Sequence, residues 1–106
     1  MTTVRSIFEG MPGTFLPEKA AGLSAVIQFD IEGEGGGQWY AAIDDGRLEV
    51  VEGTHEDSQL TLTAKAEDYV AISTGKLDGQ LAFMTGRLRA KGDLKLAVKM
   101  NSLFSR

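Results

Sequence analysis

Cysteine is absent from this 106-residue sequence, which excludes a disulfide framework and any thiolate metal site. A single histidine, His55, leaves little for zinc, because a one-histidine site needs two or three convergent carboxylates and the Asp/Glu spacing suggests none. No apolar run approaches the roughly 18 residues of a membrane span. The opening "MTTVRSIFEGMPGTF" lacks the apolar stretch of a secretory signal, and the closing "LFSR" matches no targeting address. The expected compartment is therefore the cytoplasm. Internal repeats, low-complexity tracts and linkers are missing too, so the expected organisation is one domain over residues 1–106.

What is present is unevenly distributed. The net charge is −4, but residues 1–85 carry a balance of −9 and residues 86–106 one of +5. An acidic chain makes a poor partner for polyphosphate, and no nucleic-acid module is visible. The basic tail suits an anionic head group, a transient membrane contact or plain water, and water is the commonest fate of a charged face.

Period-two alternation marks the strands. In "LSAVIQFDIEG", Leu23, Ala25, Ile27, Phe29 and Ile31 point one way. After the turn "GEGGG", "QWYAAID" places Trp39, Ala41 and Ile43 together. Asp45-Gly46 predicts a tight hairpin, since both central positions want positive φ. "RLEVVE" then returns, completing a three-stranded meander. The polar loop "GTHEDS" leads to "QLTLT", and "RLRAK" is a further strand with Leu88 and Ala90 inward.

A first helix is expected where Val4, Ile7, Phe8 and Met11 recur at helical spacing after Thr2 or Thr3, with Pro12-Gly13 as an interruption. A second, short one is expected over residues 17–21, opened by Pro17. Others are expected over residues 66–74 ending at Gly75, after the cap Asp78, and after the cap Asp93. Every strand has one apolar and one polar face, so the sheet should be covered on one side and wet on the other. The reading is α+β: a two-layer sandwich with five strands and about five helices.

The last helix is unusual. At about 100° per residue from Leu94, Val98 falls at about 40°, Leu103 at about 180°, Leu96 at about 200°, Met100 at about 240° and Phe104 at about 280°. Its apolar arc is roughly 220° wide, where a surface helix needs only a little over about 100°. One side of it can lie on the sheet. The N-terminal helices, another chain or a bound apolar molecule must cover the rest. Met84, Met100, Phe83 and Phe104 are adaptable or bulky side chains that suit permissive binding surfaces.

Catalytic signals are weak. His55 stands among Thr54, Glu56, Asp57 and Ser58, but neighbours in an extended loop point in different directions, so an exposed loop histidine is expected rather than a relay. "GEGGG" has Gln38 where a dinucleotide fingerprint needs its third glycine, and a strand follows instead of a helix. No enzyme activity and no cofactor are expected.

The run "LTLTAKAEDYVAISTGKLDGQLAFMTGRLRAKGDLKLAVKM", above all "GKLDGQLAFMTGRLRAKGD" over residues 75–93, resembles the sterol carrier protein 2 family. "AVIQFDIEG" followed by "GGQWYAAIDDG" is compatible with it. The resemblance implies a mixed five-stranded sheet under helices, with a hydrophobic tunnel between the layers that binds fatty acids, acyl-CoA esters or sterols without chemistry. It further implies a tunnel wall of Trp39, Phe83, Met84, Leu96, Met100, Leu103 and Phe104, with Gln80 as the polar orienting contact. Two departures stand out. The chain stops at Ser105-Arg106, like the stand-alone bacterial members and unlike eukaryotic ones with a peroxisomal address. Lys65 also stands where a capping Ser or Asp is expected. The alternative is an accessory or dimerisation domain that docks a protein partner, a second copy included, on the same apolar surface.

Overall fold

The computed structural model describes residues 2–104. Five strands, β1 (Ser24–Glu32), β2 (Gly37–Asp44), β3 (Arg47–Glu52), β4 (Leu60–Lys65) and β5 (Leu88–Gly92), form one sheet in the order β3-β2-β1-β4-β5. β1 and β4 run parallel, and the other neighbours are antiparallel. Among the described residues, four α-helices join them: α1 (Val4–Thr14), α2 (Ala66–Ser73), α3 (Gly79–Met84) and α4 (Leu94–Leu103). The fifth expected helix is a 3-10 turn, Pro17–Ala20, too short to close a full α turn. The α+β class, the mixed sheet and the meander stand as read.

Local chemistry sets the boundaries. Asp45 and Gly46 both have positive φ, 46° and 83°, as a two-residue hairpin with the sheet's right-handed twist demands. The Asp45 carboxylate also accepts the Gly22 N–H at 2.8 Å, tying the hairpin to the entrance of β1. The Asp93 carboxylate accepts from the Lys95 and Leu96 N–H groups and starts α4. Gly92 has φ 112°, and any Cβ there would strike the Gln59 carbonyl oxygen. Lys65 indeed begins α2 with no side-chain cap, while Glu67 and Asp68 complement the helix dipole in the first turn.

Three expectations need correction. Pro12 does not interrupt α1, which runs on through it to Thr14. The proline removes one backbone donor near the end of the helix, and anchoring by buried Phe8 and Met11 outweighs that loss. Phe104 is not on α4: it is extended, at φ −129° and ψ 140°, and makes an isolated bridge with Phe15.

The third concerns the outer face of the sheet, which is not simply wet. β3 and β4 are separated by β2 and β1, so the connection over residues 53–59 must cross that face. Gln28 lies beneath it, only 3% exposed. Its amide donates to the Gly53 carbonyl at 3.1 Å and accepts the His55 N–H at 2.8 Å.

Candidate functional site

The space between sheet and helices differs from one half of the molecule to the other. Above β1 and β2 it is full. Phe8 of α1 is fully buried and stacks on Trp39, with ring centroids 5.0 Å apart, and on Tyr69 of α2 at 5.3 Å. Phe29 meets Phe8 edge-on at 5.0 Å. Arg5 closes the rim, its guanidinium 5.2 Å from the Trp39 ring and paired with Glu52 at 3.0 Å. Burial pushes the Tyr69 phenol above its ordinary range, with a Ser73 hydrogen bond pulling the other way.

Above β5 the cover is thin. α3 precedes β5 and packs against it, and α4 follows and packs on β4 and β5. Leu88 and Ala90 point toward the helices but stay half-buried, as do Ala97 and Met100 of α4. Leu81, Phe83 and Met84 of α3, the helix packed on β5, remain in water, and so do Leu94 and Val98 on the outward side of α4. Phe83 is 48% exposed and Met84 74%. Three exposed large apolar side chains on one six-residue helix mark a binding surface more often than a bare solvent face.

The residues expected to form one wall therefore fall into three environments. Trp39, Leu96 and Leu103 are buried in the core. Trp39 faces Phe8 rather than an open tunnel, because α1 delivers a ring into the space above it. Met100 and Phe104 are half-buried, and the Phe104 ring lies 5.6 Å from Phe15. Gln80, Phe83 and Met84 are exposed on α3. The helical spacing of Phe8 marks it as apolar but gives no clue to its opposite number. Gln28 was missed, since strand alternation alone labels it a solvent residue.

A solvent-open cleft of about 720 Å³ lies where the start of β5 meets the ends of β1 and β4, beside α2 and the turn after α3. Its lining is charged and balanced: Lys65, Arg87 and Arg89 stand against Glu32, Glu67 and Asp68. It does not coincide with the apolar surface. Among the described residues, no group of three or more His, Cys, Asp or Glu side chains converges on a metal position. His55 is half-buried rather than exposed. Its ring lies 5.0 Å from Tyr40 and its Nδ1 accepts the Asp57 N–H, while the Ser58 hydroxyl is 3.4 Å from that of Thr61. The loop thus turns its polar groups to its own backbone and the sheet. No helix among the described residues is long and apolar enough to cross a membrane.

Comparisons with known proteins agree with this architecture. Hydroxysteroid dehydrogenase-like protein 2 of Rattus norvegicus is 31% identical over 103 residues, covering 96% of this chain and 20% of the relative. The chain thus spans about a fifth of that relative's length. Palmitated SCP2L2 from Aedes aegypti has a TM-score of 0.79 at 25% identity, covering 99% of this chain and 96% of that one. The sec-alkylsulfatase Pisa1 from Pseudomonas sp. shares the fold with a TM-score of 0.84 at 19% identity, over 99% of this chain and 17% of that one. Residues 13–105 match the model of the SCP-2 sterol transfer family, and the chain belongs to that family.

Proposed function

We propose that this domain is a non-catalytic carrier of a fatty acyl chain, acyl-CoA or a similarly slender lipid, seated between α3 and α4 against the inner face of β5. The observation that carries the reading is the exposure of Leu81, Phe83 and Met84 beside half-buried Leu88, Ala90 and Met100. Family membership and the likeness to a palmitated relative support it. Phe83, Met84, Met100 and Phe104 form the movable wall in this reading, with Leu96 as its floor. Trp39 and Leu103 stand behind it as rigid backing. Gln80, exposed on the first turn of α3, holds the polar end of the guest.

The energetics are adequate. Covering a dozen or so methylenes at roughly 0.8 kcal/mol each leaves micromolar affinity after ordering costs. A lipid extract and native mass spectrum of the gently purified protein test the reading. A stoichiometric acyl lipid is expected. An empty protein that also fails to take up a fluorescent fatty acid would overturn it, and an empty dimer would favour protein docking instead.

A further inference from the structure

The outward side of α4 has no part in that reading. At about 100° per residue, Leu94 and Val98 lie within about 40° of each other, opposite buried Leu96 and Leu103. Ser102, Lys95 and Lys99 follow them between about 80° and about 140°. All five are exposed, Val98 by 74%. The ion pairs of the described residues join Arg5 to Glu52 and Arg89 to Glu32, and neither involves Lys91, Lys95 or Lys99. These lysines belong to the segment 86–106, which carries +5 against −9 for the rest. The apolar residues of α1 offer no comparable surface, because Val4, Phe8 and Met11 are buried.

We infer that α4 docks this domain on an anionic lipid bilayer, through Leu94 and Val98 at the acyl boundary and Lys95 and Lys99 at the phosphates. Two apolar side chains are too small a core for a stable protein interface, which needs about 1,200 Å² or more. A bilayer makes up the difference with charge. The lysine stems lie along the apolar strip and their ammonium groups reach the head groups, as in helices that rest in the interface plane. The acidic remainder of the chain orients the approach, since it is repelled from the same surface.

Flotation of the full chain with phosphatidylcholine vesicles, with and without phosphatidylserine, tests this. Binding is expected only with phosphatidylserine, and it should weaken as salt is added. Lys95→Glu with Lys99→Glu should lower it about twentyfold or more, since each cation near such a surface contributes about fivefold. Leu94→Ser with Val98→Ser should weaken binding and leave its salt dependence in place. Arg47→Glu, exposed on β3, should change little. These positions are exposed, so thermal melts should stay near wild type, and Lys95→Gln with Lys99→Gln serves if the charge reversals do not fold. Equal binding to neutral vesicles, indifference to every α4 change, or a dimer dissolved by Val98→Ser would overturn the inference. Fatty-acid uptake on the same samples separates the two readings. Vesicle binding without uptake removes the cargo alone, and uptake without vesicle binding removes the docking alone.

Discussion

Above β1 and β2, four aromatic rings from α1, α2 and the sheet meet within 6.0 Å of one another along the Phe8–Phe29–Tyr69 and Phe8–Trp39 contacts. Above β5, the nearest helices leave Phe83 and Met84 about half or more in water. The sheet is continuous through both halves and the strands alternate alike. The difference comes from what stands opposite. α1 is eleven residues long and sends Phe8 straight down, whereas α3 is six residues long and buries only Ala82. One half spends its apolar surface on stability, and the other keeps its surface available. Binding surfaces are commonly drawn from the less stable end of a structure for this reason.

The sharpest way to break that contrast is Phe8→Ala. It removes a fully buried ring that three other rings touch. We expect a loss of about 3–5 kcal/mol, a large share of the roughly 5–15 kcal/mol typical of a domain. Urea unfolding measures it. A loss below about 1 kcal/mol would mean that the closed half is no more tightly packed than the open one.

A polar counterpart lies on the outer face. Gln28→Leu strips the partners from the His55 N–H and the Gly53 carbonyl. About 1–3 kcal/mol should be lost for the stranded groups. Hydrogen exchange should also quicken at the His55 amide before the sheet opens, and unchanged protection there would show that the loop does not depend on Gln28.

A third effect appears only in alkali. Burial raises the Tyr69 pKa above the ordinary value near 10, against the smaller opposing pull of Ser73. The unfolded chain releases that proton first, so the folded form binds more protons above about pH 10. Stability is therefore intact below about pH 10 and falls by about 1.4 kcal/mol per pH unit beyond it. Urea midpoints across this range should show the decline in the wild type and a flatter curve in Tyr69→Phe. Parallel curves would place the cause in other groups.

The closed half was half legible. Period-two alternation identified Trp39 and Phe29 as inward-facing, and Asp45-Gly46 announced the hairpin that brings β2 and β3 together. Neither signal says which residue of a distant helix arrives above the sheet, and so Phe8 could not be paired with Trp39. Strand order is also a non-local fact. Without it, the crossing of residues 53–59 over Gln28 has no trace in the local pattern. On α4 the wide apolar arc predicts two apolar sides, of which the structure buries the one with Leu96 and Leu103. Which side meets the sheet was settled only by the turn at Gly92-Asp93, which sends Leu96 and Leu103 inward and leaves Leu94 and Val98 out. Phe104 followed the helical wheel on paper, yet the backbone leaves the helix at that residue and pairs with Phe15.

The smallest expected change in stability is the most informative about the open half. Phe83→Ala deletes a ring that already meets water over nearly half its surface, 48%. With no guest present, the loss should stay near or below about 1 kcal/mol, far from the cost of Phe8→Ala. With a fluorescent fatty acid present, the same substitution should weaken binding about tenfold, because the bound acyl chain loses its apolar partner. Met100→Ala, half-buried on the facing helix, should act in the same direction with a somewhat larger loss of stability. The contrast therefore inverts between the two measurements: Phe8 dominates unfolding and Phe83 dominates uptake. If Phe83→Ala instead unfolds the protein like a core deletion and leaves fatty-acid affinity unchanged, the ring is packing rather than wall, and the space over β5 closes in solution as the space over β2 does.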